Sequence, residues 1–116
     1  DVVSINVTSG ADTKNLISQK ELDLMKPQAI LINVDQGPMV DTEALYDALK
    51  NKKIGGAGLD QVAGLKKEHP LLKLNNVVFT GHAGSSTNES FRENLPELVV
   101  LAVEQFTKGS PKNLVN

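Results

Sequence analysis

The sequence predicts an α/β fold: a mostly parallel sheet of about four strands with helices packed on it. Three observations predict this. Short β-rich runs recur at residues 2–7, 29–33, 54–60 and 77–80. Stretches with helix-start signals and helical apolar spacing separate the first three runs. Strands that alternate with helices pair in parallel, because the crossover returns the chain to the same end of the sheet.

Each element has its own local reason. VVSINV at 2–7 is short and rich in β-branched residues, a first strand. Residues 9–12 are a turn cluster. Ser18 and Glu21 have capping-box spacing, so a helix carrying Leu22, Leu24 and Met25 starts there and stops before Pro27. AILIN at 29–33 is a second strand. Asp41 is a good N-cap, Glu43 suits the positive helix end, and Ala44, Leu45, Ala48 and Leu49 share one face. The third strand, at 54–60, is glycine-rich; 61–75 is irregular with one helical turn at 71–73; 77–80 is the fourth strand. After a loop at 81–85, Ser86 and Glu89 form a second capping box. The last helix carries Phe91, Leu95, Leu98, Val99, Ala102, Val103 and Phe106 as an apolar stripe. Pro96 lies inside it and should kink it or limit its first part, since an interior proline costs ~3 kcal/mol. Residues 1–108 make the domain and 109–116 a polar tail.

Composition narrows the function. The 116 residues suffice for one packed core but are short for a two-domain enzyme. Net charge is −2 and aromatics are 3%, all isolated, so neither a polyanion field nor a base-stacking platform exists and nucleic acid is excluded as a partner. No cysteine is present, which fits a reducing, cytoplasmic setting. No apolar run has membrane-spanning length. The chain opens on Asp1 with a strand at once, which suggests part of a longer protein.

In a parallel sheet the loops 35–40, 61–65 and 81–86 all open on one edge, where ligands of open α/β sheets sit. His82, in TGHAGSST, can exchange a proton there near neutral pH; its structural alternative is a loop histidine bonded to backbone. His69, in EHPLL, reads as a surface residue. GGAGLD places Gly56 and Gly58 on the first positions of G-x-G-x-x-G but has Gln61 in the third, and it opens a strand; close packing of strand on helix explains it better. The lysines at 50, 52, 53, 66 and 67 read as solvated faces. No His/Asp/Glu set has metal-ligand spacing, and no Gly-x-Ser-x-Gly elbow occurs.

LMKPQAILINVDQGPMVDTEALYDALKNKKIGGAGLD followed by HPLLKLNNVVFTGHAGSST resembles the second half of the cofactor domain of the D-isomer-specific 2-hydroxyacid dehydrogenases. The likeness runs from DVVSINV to NLVN. It implies half of a doubly wound, Rossmann-like sheet, NAD as cofactor, and a small 2-keto or 2-hydroxy acid as the parent family's substrate. It also implies that the family's glycine fingerprint, its adenine-ribose acid and its substrate domain precede or lie outside this chain.

By that resemblance His82 falls on the family's acid/base histidine. Gln36 stands at the position of the arginine that clamps the substrate carboxylate, and Ala63 at that of the glutamate that holds the histidine. Asn6 replaces a histidine or cysteine, and Gly81 the proline before His82. Asp60 falls where the family contacts the nicotinamide carboxamide; Val34 and Asp35 lie near the nicotinamide ribose, and Ala83 and Gly84 follow the histidine. With two of three catalytic groups replaced, the chain is expected to be inactive by itself and to bind NAD weakly or not at all. The alternative is a non-catalytic, self-associating binding or assembly module. Either way an open edge at DVVSINV, or exchange of the last helix, predicts a homodimer.

Overall fold

A computed structural model describes residues 1–35, 38–62, 64–83, 87 and 95–108. Two compact units divide the chain, Asp1–His82 and Ala83–Asn116.

The first unit contains β1 (Val2–Ile5), α1 (Gln19–Asp23), β2 (Ile30–Asn33), α2 (Thr42–Lys50), β3 (Gly56–Leu59) and β4 (Val77–Phe79). Short 3₁₀ turns occupy Ala11–Thr13 and Pro70–Lys73. The strands form one parallel sheet in the order β1-β2-β3-β4, as the α/β reading predicted. Register pairs Val2 with Ile30, Ile30 with Gly56 and Ala57 with Val77. Strands that advance in one direction through right-handed crossovers put their helices on the same face. Leu22 of α1 and Leu45, Ala48 and Leu49 of α2 accordingly meet Ile5, Leu31, Ala57 and Leu59 in one core. Leu22, Leu31, Leu45, Leu49, Ile54 and Leu71 are at most 1% exposed. Each such side chain contributes ~1.5–3 kcal/mol by leaving water.

Local signals explain the helix starts. Asp41 Oδ1 accepts the N–H groups of Glu43 at 3.1 Å and Ala44 at 3.0 Å, the predicted cap of α2. At α1 the Glu21 carboxylate accepts both the N–H (3.0 Å) and the hydroxyl (2.5 Å) of Ser18. These bonds favour its charged form and hold its pKa below the ordinary carboxylate value. Outside the sheet, a parallel bridge joins Ile17 to Val40 and laces the segments that precede the two helices.

Several expectations are corrected. The first strand stops at Ile5 because β2, its partner, ends at Asn33. α1 is only five residues long, and Leu24, expected on its apolar face, is exposed. The lysines at 50, 52, 53, 66 and 67 are exposed, as expected; Lys53 also pairs with Asp23 at 2.5 Å, and Lys50 Nζ lies 5.3 Å from the Tyr46 ring centroid. The crowding around GGAGLD comes from neighbouring segments rather than a helix: a Cβ on Gly55 would lie 2.8 Å from the Gln28 carbonyl oxygen, and one on Gly58 3.0 Å from Ile32 Cδ1. His69 is half buried, its Nδ1 accepting the Leu71 N–H at 3.1 Å and capping the second 3₁₀ turn.

The second unit contains α3, Leu95–Thr107. Pro96 is the second residue of that helix as described, and the residues just before Leu95 lie outside the described ones. Val99 and Val103 of the expected apolar stripe are exposed. The Ser86–Glu89 capping box and Phe91 lie outside the described residues. Among the described residues no helix is long and apolar enough to cross a membrane.

Candidate functional site

Register builds the site. Asn33 is level with Leu59, and Leu59 with Phe79. The next residues, Val34, Asp60 and Thr80, therefore leave the carboxyl edge side by side. Hydrogen bonds continue the ladder past the strand ends: Asp60 N–H donates to the Asn33 carbonyl at 2.9 Å, and Thr80 N–H to the Leu59 carbonyl at 3.2 Å. One step further, His82 N–H donates to the Asp60 carbonyl at 2.6 Å. The Thr80 hydroxyl also donates to the Asp60 carboxylate. Asp60 is buried, whereas Val34, His82 and Ala83 are exposed.

Asn33 was not singled out from the sequence, yet it is 2% exposed and orders the first loop. Its Oδ1 accepts the Asp35 N–H at 3.1 Å, an Asx-type turn that directs the chain off β2. The available signal was parity: Leu31 and Asn33 share a face, and only the second is polar. Thr80, the partner of Asp60, was likewise read only as a strand end. A cavity of about 180 Å³ lies between this edge and the start of α2, lined by Asn33, Asp41, Leu45, Leu59, Gln61 and Val62. Gln61 Oε1 is buried and has no hydrogen-bond partner among the described residues. Such an acceptor in a polar cavity suits an ordered water.

Of the residues expected at the site, Val34, Asp35, Asp60 and His82 are placed together by β2, β3 and β4, and Ala83 opens the second unit. Gln36, Ala63 and Gly84 lie outside the described residues. Asn6 is exposed and donates to Ser4 Oγ at 3.0 Å. The arrangement offers a buried carboxylate and a neighbouring histidine on an open edge, which suits an amide donor and a proton-accepting substrate oxygen. It fits the nicotinamide end of a dinucleotide. A pyrophosphate needs a glycine turn opening a helix, whereas Gly56 and Gly58 lie within β3.

The family model for the D-isomer specific 2-hydroxyacid dehydrogenase NAD binding domain matches residues 1–84. The glyoxylate reductase of Thermococcus litoralis is 48% identical over 122 residues, covering 100% of this chain and 35% of that protein. The chain thus spans about a third of the length of such relatives. A structure of an acyclic imino acid reductase, Bsp5, in complex with NADPH and D-Arg superposes with a TM-score of 0.92 at 37% identity, covering 100% of this chain and 37% of that one. The NAD-complexed D-isomer specific 2-hydroxyacid dehydrogenase of Lactobacillus delbrueckii ssp. bulgaricus gives 0.85 at 32% identity, covering 100% and 40%. Sheet order, the row at its carboxyl edge and these matches lead to one conclusion: the chain belongs to the D-isomer specific 2-hydroxyacid dehydrogenase family, within its NAD-binding domain, and NAD is the cofactor expected of that family.

Proposed function

We propose that this chain supplies the nicotinamide side of the cofactor domain in a reductase of small 2-keto acids, and that it is catalytically impaired by itself. The row Val34, Asp60 and His82, tied by the His82 N–H to Asp60 carbonyl bond, carries the reading. The related protein named a glyoxylate reductase and the NAD- and NADPH-bound neighbours support it. Asp60 receives the carboxamide, while Val34 and Asp35 border the nicotinamide ribose; Ala83 and Gly84 follow the histidine in sequence. NADH, when bound, supplies the hydride, and His82 delivers a proton from its imidazole to the keto oxygen.

Impairment follows from two replacements. Gln36 brings no charge where an arginine would clamp a carboxylate. Hydrogen bonds to charged groups contribute ~1.5–3 kcal/mol, so this loss alone costs roughly tenfold to a hundredfold. Ala63 brings no carboxylate to the histidine. The test mixes the chain with NADH and a panel of 2-keto acids and follows NADH absorbance. Saturable turnover that His82→Ala abolishes would overturn the impairment. NADH binding that appears when a polypeptide carrying a glycine fingerprint is added, and weakens in Asp60→Ala, is the expected result; no binding under those conditions sinks the cofactor placement.

A second reading is a self-associating module without chemistry. β1 is the edge of the described sheet and Val2 is 64% exposed, which favours pairing with a second copy. It predicts a homodimer, and a size measurement in dilute solution that shows monomer alone rejects it.

A further inference from the structure

The chain turns off β4 through two consecutive left-handed residues: φ is +69° at Gly81 and +64° at His82. That region costs most side-chain-bearing residues ~1–2 kcal/mol, with asparagine better tolerated. Proline is barred from it, because its ring fixes φ near −65°. Space does not select glycine here, since among the described residues a Cβ on Gly81 would meet nothing within 4 Å. The backbone angle does. The turn has contacts on both sides: Thr80 N–H donates to Leu59, Thr80 hydroxyl to the Asp60 carboxylate, and His82 N–H to the Asp60 carbonyl at 2.6 Å.

We propose that Gly81 is a positioning residue for His82: its left-handed backbone brings the His82 amide onto the Asp60 carbonyl and so fixes where the imidazole leaves the sheet edge. The link to proton delivery rests on the reading of His82 given above. Gly81 occupies the place where the family resemblance puts a proline, and restoring that proline should damage the site, because it cannot adopt φ +69°. The damage should reach His82 while sparing His69, which is held elsewhere by Glu43 and Leu71.

The test compares Gly81→Pro, Gly81→Asn and Gly81→Ala in the 116-residue chain by heteronuclear NMR, with denaturant melts to confirm folding. Two signals are read: solvent exchange of the His82 amide, and the His82 ring resonances with those of His69 as an internal reference. Gly81→Asn should leave both signals in place. Gly81→Pro should speed exchange of the His82 amide roughly tenfold, the equivalent of one hydrogen bond, and move only the His82 ring. If Gly81→Pro does not fold, the asparagine and alanine variants decide, with alanine faster in exchange than asparagine. A proline variant that keeps a protected amide and an unmoved ring overturns the proposal. So does a native His82 amide that exchanges like an exposed one, or an asparagine variant that behaves like proline. None of these signals needs dinucleotide, so failure of NADH binding with the signals intact rejects the proposed function alone.

Discussion

His69 and Glu43 are joined across the first unit, Nε2 to Oε1 at 2.9 Å. Because His69 Nδ1 accepts the Leu71 N–H, the proton on a neutral ring resides on Nε2 and donates to the glutamate. Tyr46 meets the same ring edge-on, with centroids 6.2 Å apart. One side chain thus caps the 3₁₀ turn and ties it to the first turn of α2. His69→Ala should cost ~1–2 kcal/mol of unfolding free energy, the size of a lost cap plus one bond. Denaturant melts should show His69→Asn recovering part of the loss, since asparagine can cap but cannot reach as far.

Gly55→Ala should destabilise by ~1–3 kcal/mol, in the range of an overpacked core. Its Cβ would lie 2.8 Å from the Gln28 carbonyl oxygen, and both partners are backbone, so neither can swing aside. Thermal unfolding checks this, and a variant as stable as the parent would mean that the two segments separate freely.

Thr80→Val should cost ~1–3 kcal/mol, because it removes a hydroxyl donor from a buried carboxylate at nearly constant volume. Thr80→Ser keeps the donor and should lie close to the parent. Equal losses for valine and serine would assign the effect to the methyl group instead.

Acid should lower the stability of the fold through two surface carboxylates. Hydrogen bonds from Ser18 lower the pKa of Glu21, and those from Lys53 and then Gln19 lower that of Asp23. A carboxyl depressed in the folded state stabilises above its unfolded pKa and loses that stability as pH falls through the folded value. Stability should therefore hold from neutral pH down to the ordinary carboxylate range of about 4 and decline below it. Urea melts at stepped pH should show the decline, shallower in Lys53→Ala and in Ser18→Ala. Salt should weaken the Asp23 share, since both partners are largely solvated.

Much of the fold was legible because its signals are local. Asp41 caps α2 as its position announces, and the face of Ala44, Leu45, Ala48 and Leu49 packs as its spacing requires. The carboxyl-edge row was legible for another reason: in a parallel sheet, the residue after each strand has only one place to go. What stayed hidden depends on tertiary partners. Nothing near His69 in sequence announces Glu43, and a polar neighbourhood concealed a half-buried ring. The crowding at Gly55 comes from Gln28, one strand away. The left-handed Gly81 was visible only as a departure from an expected proline; its sign of φ was not. The first strand's end was overestimated because the β-branched Val7 extends the run after the neighbouring strand has stopped.

Every strand of the sheet pairs with its successor in the chain, β1 with β2, β2 with β3 and β3 with β4. A nascent polypeptide leaving the ribosome would thus present each finished strand as a template for the next, with a single crossover to close at each step and no wait for a distant segment. Each closure joins neighbouring segments, so its loop-closure entropy is smaller than that of pairing strands far apart in the chain. The carboxyl edge, which needs three strands, would be completed last.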